Sequence, residues 1–151
     1  MSPRLHREEV PIDSELVRYL VRDQFPEWSD LPLVRVDSGG TVNAIYRLGA
    51  EMAVRLPLAT WGTEPLEREF LWAPRLAPHL PLEVPRPLVR GEPGHHYPFP
   101  WSIHRWIEGD IAISEHIGDA QRAAIDLAGF VRALQAFDPA GAPPNTHRGG
   151  P

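Results

Sequence analysis

The 151-residue chain contains no cysteine and no lysine. Without cysteine there is no disulfide, no thiolate nucleophile and no Cys-ligated zinc. Without lysine, the 15 basic side chains are all arginine, set against 20 Asp and Glu for a formal net charge of -5. That balance argues against a basic groove for nucleic acid. No apolar run approaches the ~20 residues that cross a bilayer, and the charged stretch 1–9 lacks the apolar centre of a signal peptide. No membrane partner is expected, and a cytoplasmic location follows by default. The seven histidines show no metal-ligand spacing, and His95-His96 falls in a loop rich in Pro and Gly.

Proline, in contrast, is abundant at 18 residues, placed between apolar runs where it marks turns and strand ends. With 42% hydrophobic residues and five Trp, the chain has enough apolar surface for a core in one domain, or in one lobe and part of another.

Helical spacing of Leu16, Val17, Leu20 and Val21 predicts an amphipathic helix over 14–25, with Asp13 as N-cap and Pro26 as its end. Strands are predicted over 33–36 and 44–48, flanking a Gly39-Gly40 turn, and over 52–56 after the tight turn Gly49-Ala50-Glu51. A helix over 64–79 follows, with an acidic first turn and a stripe of Leu66, Phe70, Ala73 and Ala77; Pro74 should kink or divide it. Strands over 87–90 and 101–107 complete a set of five, read as a curled antiparallel sheet covered by the interposed helix. Past Gly109, Leu127, Phe130, Val131, Leu134 and Phe137 mark a helix over 121–137. The organisation expected is an N-terminal helical extension at 1–30, a sheet unit and its linking strand at 31–109, the start of a helical unit at 110–138, and a loop or tail at 139–151.

In the turn Ser38-Gly39-Gly40-Thr41-Val42-Asn43, the residues Ser38 to Thr41 are small enough to bring backbone N–H groups close to a polyphosphate. Alone it is a weak signal, since a Gly-Gly pair between strands is more often simply a hairpin turn. Arg55 adds weight: it stands in the apolar strand Met52-Ala53-Val54-Arg55, where a charge needs a partner or must leave the core. Its guanidinium never loses its proton and offers donors to phosphate and carboxylate together. Glu69, on the following helix, is the best partner, while Glu67 is turned about 200° away and faces solvent. The strand at 101–107 then joins the two units. There, backbone groups of His104, Arg105 and Trp106 are candidates to bond a purine edge, and Trp101 or Trp106 to wall its pocket. Equally, these aromatics are core packing.

Taken together, these residues resemble the aminoglycoside phosphotransferase family of protein-kinase-like enzymes. The likeness runs over nearly the whole chain, through Val10-Pro11-Ile12-Asp13, Gln24-Phe25-Pro26-Glu27-Trp28, Gly40-Thr41-Val42-Asn43-Ala44-Ile45-Tyr46-Arg47-Leu48-Gly49, Val54-Arg55-Leu56-Pro57, Leu76-Ala77-Pro78-His79-Leu80-Pro81-Leu82 and Trp106-Ile107-Glu108-Gly109-Asp110. The resemblance implies an α+β, protein-kinase-like N-lobe. Its five-stranded antiparallel sheet and helix C equivalent would be followed by the first helices of a truncated C-lobe. It further implies ATP or GTP in the cleft between lobes, Mg²⁺ in the complete enzyme, and transfer of the γ-phosphoryl group to a hydroxyl of a small molecule such as an aminoglycoside. Carried over residue by residue, Ser38, Gly39, Gly40, Thr41 and Asn43 cover the phosphates and Arg55 takes the strand-cation position. Glu69 is then the helix acid, and Ile103, His104, Arg105 and Trp106 form the hinge.

Two positions depart from the pattern: Val42, where relatives usually carry a polar residue, and Leu58, where many keep an Arg. The larger departure is that the family's H-G-D-x-x-x-x-N segment and later metal-binding Asp do not occur in the sequence. No catalytic residue or metal ligand is therefore assigned, the chain by itself is expected not to turn over, and its last helix is expected to drive self-association. A non-catalytic nucleotide-binding or interaction module, or an inert scaffold fragment, is the alternative reading.

Overall fold

The computed structural model describes residues 9–37 and 40–142. Ser38, Gly39 and most of the expected tail lie outside the described residues. The first helix, α1 (Ser14–Gln24), begins where expected: the Asp13 carboxylate accepts the Leu16 N–H at 2.8 Å, satisfying one of the donors a helix start leaves open. Pro26 then opens a short 3-10 turn, Pro26–Trp28.

Five strands follow: β1 (Leu33–Val36), β2 (Asn43–Leu48), β3 (Met52–Pro57), β4 (Pro87–Gly91) and β5 (Trp101–Arg105). They form one antiparallel sheet in the order β1-β2-β3-β5-β4, so the last strand inserts between the third and the fourth. Between β3 and β4 lies α2 (Glu64–Leu76), continued by a 3-10 turn at Ala77–His79.

Small corrections to the expected limits have local causes. β2 begins one residue early because Asn43 pairs with Pro57, and the last strand ends at Arg105 rather than at Ile107. Pro74 does not divide α2. It stands in the last turn, where its missing N–H removes only one late hydrogen bond.

Period-two alternation sorts the sheet into two faces. Ala44, Tyr46, Leu48, Val54, Leu56, Trp101 and Ile103 are buried on one face and pack against Val17, Leu20 and Val21 of α1. Each fully buried aliphatic side chain of this set contributes about 1.5–3 kcal/mol. Polar clamps tie α1 and its leader to the sheet. Arg35 Nη1 donates to the Ile12 carbonyl at 3.0 Å and to the Tyr46 hydroxyl at 3.2 Å. The Gln24 amide both donates to the Glu92 carbonyl at 2.9 Å and accepts its N–H at 2.7 Å.

The opposite face carries Arg55, across from Ile45 and Ser102, and His104, across from Ala53; α2 lies against it. After β5 the chain is irregular until α3 (Ala120–Ala136), so the helical unit expected from 110 becomes helical only at 120, where Asp119 caps it. Phe137 packs edge-on against Trp72 of α2 with ring centres 6.4 Å apart. Leu127, Val131 and Leu134 remain exposed. Among the described residues, no helix is long and apolar enough to cross a membrane.

Candidate functional site

Because Val54 and Leu56 point into the core, Arg55 between them must emerge on the α2 side of the sheet. There its two terminal nitrogens grip one carboxylate: Nη1 lies 2.7 Å from Glu69 Oε2 and Nη2 3.2 Å from Glu69 Oε1. The fork geometry is the strong form of this ion pair. Both side chains stay partly exposed, 26% for Arg55 and 33% for Glu69, so the guanidinium is held without being sealed off. The other acids of α2 are engaged elsewhere, Glu67 with Arg90 and Glu64 with Arg68. Of the three, Glu69 alone meets Arg55.

His104 joins the pair from β5. Its imidazole is 2% exposed, with Nε2 2.9 Å from Ser102 Oγ and 3.7 Å from Glu69 Oε2. Burial, helped by the charge of Arg55, lowers its pKa from 6.5 to about 4, so the ring is neutral near pH 7. The contact with Glu69 is therefore that of a neutral ring with a carboxylate. Phe70 closes over the imidazole edge-on, with ring centres 6.5 Å apart. Sequence reasoning gave His104 only a backbone role and missed its side chain. The face becomes clear only from the pairing: Ser102 stands opposite Arg55, and His104, two residues on, shares its face.

The remaining expected residues are distributed around this cluster. Gly40 and Thr41 are exposed, and Asn43 opens β2. The Leu58 N–H donates to the Val42 carbonyl at 2.9 Å, fastening the end of the turn to the end of β3. On the linking strand, the Ile103 side chain belongs to the core on the far face. Trp101 is likewise core: it is fully buried, edge-on to Phe25 and hydrogen-bonded through Nε1 to the Glu92 carbonyl at 3.0 Å, which rules it out as a pocket wall.

Two of the expected backbone donors are already engaged. The Arg105 N–H donates to the Arg86 carbonyl at 2.9 Å and the Trp106 N–H to the Glu51 carbonyl at 2.7 Å, so neither is free for a base edge. Trp106 faces the Arg55 side of the sheet, with the Arg47 guanidinium 4.9 Å above its ring and Arg47 in turn paired to Glu108. Two buried side-chain nitrogens without a partner among the described residues are His104 Nδ1 and Trp106 Nε1. Among the described residues, no three His, Asp or Glu side chains converge as a metal site.

Comparison with known proteins agrees with this frame. Solved structures with the same fold include a GDP complex of wild-type aminoglycoside 2'-phosphotransferase-IIIa, at TM-score 0.74 and 22% identity over 84% of this chain and 43% of that one. A GDP and kanamycin complex of an APH(2") enzyme matches at TM-score 0.71 and 22% identity, over 81% of this chain and 42% of that one. The ADP-bound APH(2")-Ib matches at TM-score 0.60 and 16% identity, over 87% of this chain and 43% of that one. The chain thus spans less than half the length of these kinase-like structures. No curated protein matches it. The sequence matches the family model described as the phosphotransferase enzyme family over residues 33–150, and on that match, which covers most of its length, the chain belongs to that family.

Proposed function

We propose that the chain is the nucleotide-gripping part of a small-molecule phosphotransferase, which moves the γ-phosphoryl group of ATP or GTP to a hydroxyl of an aminoglycoside or a related metabolite. The observation that carries this reading is the bidentate Arg55–Glu69 pair, set on the open face of the sheet. Phosphoryl transfer asks a protein mainly for positioning and for charge opposite the phosphates. A cation fixed by a helix carboxylate supplies both, because Glu69 orients the guanidinium and leaves part of it free for a phosphate oxygen. In this reading Ser38, Gly39, Gly40, Thr41 and Asn43 lie over the phosphates, and Trp106 walls the base. The solved relatives hold GDP or ADP, and one holds kanamycin beside GDP, which supports both halves of the proposal.

Mg²⁺ belongs to this reaction, where it neutralises charge on the phosphates. The residues described here do not fit it: no acidic set converges, and Glu69 is taken by Arg55. No step is assigned to a metal on this chain. The base and the metal-binding Asp are placed in a part of such a protein outside these 151 residues. Working on a nucleotide pool, the protein is placed in the cytoplasm. The alternative reading is a nucleotide-binding module without catalysis.

Calorimetric titration with Mg-ATP and Mg-GTP tests the proposal. One nucleotide is expected per chain. Arg55→Ala should weaken binding by about 1.5–3 kcal/mol, the worth of a charge-assisted phosphate contact, and Glu67→Ala should leave it near wild type. A wild-type chain that binds neither nucleotide, or equal losses in the two variants, sinks the reading. Phosphoryl transfer by the chain alone would exclude the non-catalytic alternative.

A further inference from the structure

We propose that His104 is a positioning residue for the Arg55–Glu69 pair: its imidazole, fixed by the hydrogen bond between Nε2 and Ser102 Oγ, sets the positive edge of Nε2–H 3.7 Å from Glu69 Oε2, and that contact of dipole with charge favours the carboxylate's place beside β5. The functional consequence rests on the phosphate-gripping role proposed for Arg55; the contact itself does not.

The tautomer follows from what surrounds the ring. Both Glu69 oxygens accept from Arg55, so they face the nitrogen 3.7 Å away as acceptors. A bare Nε2 lone pair there would face those oxygens with like polarity, whereas Nε2–H donates to the Ser102 hydroxyl, 2.9 Å away, and turns its positive edge toward Glu69. The proton therefore sits on Nε2, and Nδ1 is left as the bare acceptor, in keeping with its lack of a partner among the described residues. An unpaired acceptor is the less costly choice, because a carbonyl-like lone pair tolerates isolation better than a buried N–H. The groups facing the ring are Arg55 from β3, Glu69 and Phe70 from α2 and Ser102 from β5 itself, with Pro87 of β4 as its strand partner.

The arrangement ties three elements together. Ser102 stands directly opposite Arg55 in the β3–β5 register, so the imidazole and the guanidinium approach one carboxylate from neighbouring strands. Movement of α2 away from the sheet would break both contacts together. An aliphatic residue at 104 would fill the same volume and keep the strand, but it would remove the polar edge that faces Glu69.

The test uses the full 151-residue chain with Glu69→Gln, His104→Leu, His104→Gln and the double variant Glu69→Gln/His104→Leu. Imidazole ¹⁵N shifts at pH 7 should report the Nε2–H tautomer and move in Glu69→Gln. Amide hydrogen exchange across α2 should speed up in His104→Leu and much less in His104→Gln, which keeps an N–H donor. For Mg-ATP, His104→Leu should raise Kd about tenfold, and the double variant should lose little beyond Glu69→Gln, since one coupled unit is being broken twice. An Nδ1–H tautomer, unchanged α2 exchange in His104→Leu, or fully additive losses would overturn the proposal. If the wild type binds no nucleotide, the phosphate reading falls by itself, and tautomer and exchange still decide the role of His104.

Discussion

Gly91 lies directly beneath the indole of Trp101: a Cβ on Gly91 would stand 2.0 Å from the ring carbon Cε2 and 2.4 Å from Nε1. The two are partners across β4 and β5, and the indole they share space with is fully buried. The ring cannot slide away, because Nε1 is bonded to Glu92 and Phe25 packs edge-on against it. Gly91→Ala should therefore destabilise the fold by about 3 kcal/mol, the upper range for overpacking a well-filled core. Gly94→Ala, where a Cβ meets only ordinary contacts at 3.6 Å, should cost less than about 1 kcal/mol. Urea unfolding of both variants measures the difference.

Tyr97 lies in the loop that joins the same two strands. Its hydroxyl donates to the Pro57 carbonyl at 2.7 Å in a buried setting, and burial pushes the phenol well above its ordinary pKa. Tyr97→Phe leaves the carbonyl without its partner and should cost about 1–3 kcal/mol. Loss of stability in denaturant titration with an unchanged m-value would match that account. A neutral substitution would mean water replaces the hydroxyl.

His104 makes stability depend on pH in a defined window. Its folded pKa, about 4, lies below the ordinary 6.5 of an unfolded chain. Between those values the unfolded state binds the extra proton, so stability is fully present above pH 6.5 and falls as the pH drops toward 4. At most the loss is on the order of 3 kcal/mol. Thermal melts of wild type and His104→Gln from pH 4 to 8 should show the wild type losing more stability below pH 6.5. Parallel curves for the two proteins would mean that His104 does not enter its neutral, buried state on folding.

The α3 face formed by Leu127, Val131 and Leu134 is exposed at 60%, 42% and 43%. A contiguous apolar face of this kind favours association, so sedimentation of the 151-residue chain should show oligomers that grow with concentration. Leu127→Glu with Val131→Glu should shift the chain toward monomer. A monodisperse wild-type monomer at high concentration overturns this expectation.

Most of the sheet was readable because its strands alternate. β2 is buried at every second residue, and a charge in the middle of β3 needed an acid or an exit from the core; the order of turn, strand cation and helix acid, read through the family resemblance, pointed to Glu69. α1 was equally plain, since Asp13 caps it and its apolar residues recur on one face. β5 was not readable in this way. Trp101, Ser102, Ile103 and His104 are all buried, so both faces of the strand are covered and no alternation shows which one carries the site. The backbone of Arg105 and Trp106 looked free for the same reason. Its actual partners, Arg86 and Glu51, are the residues just before β4 and β3, which carry the two ladders past Arg105 and show only once the strand pairing is known. Nor does the sequence reveal the shift in register between Pro87 and Val89, where a proline without an N–H interrupts the ladder.

The insertion of β5 between β3 and β4 also sets an order of events during synthesis. β1, β2 and β3 can pair as a meander as soon as they leave the ribosome, and α2 can bring Glu69 to Arg55 shortly afterwards. Ser102 and His104 arrive only with β5, which must close the longest loop in the sheet and displace nothing already paired. Until that strand docks, the far edge of β3 stands open to other chains. The same strand that brings Ser102 and His104 beside Glu69 thus also shields the half-made protein from misassociation.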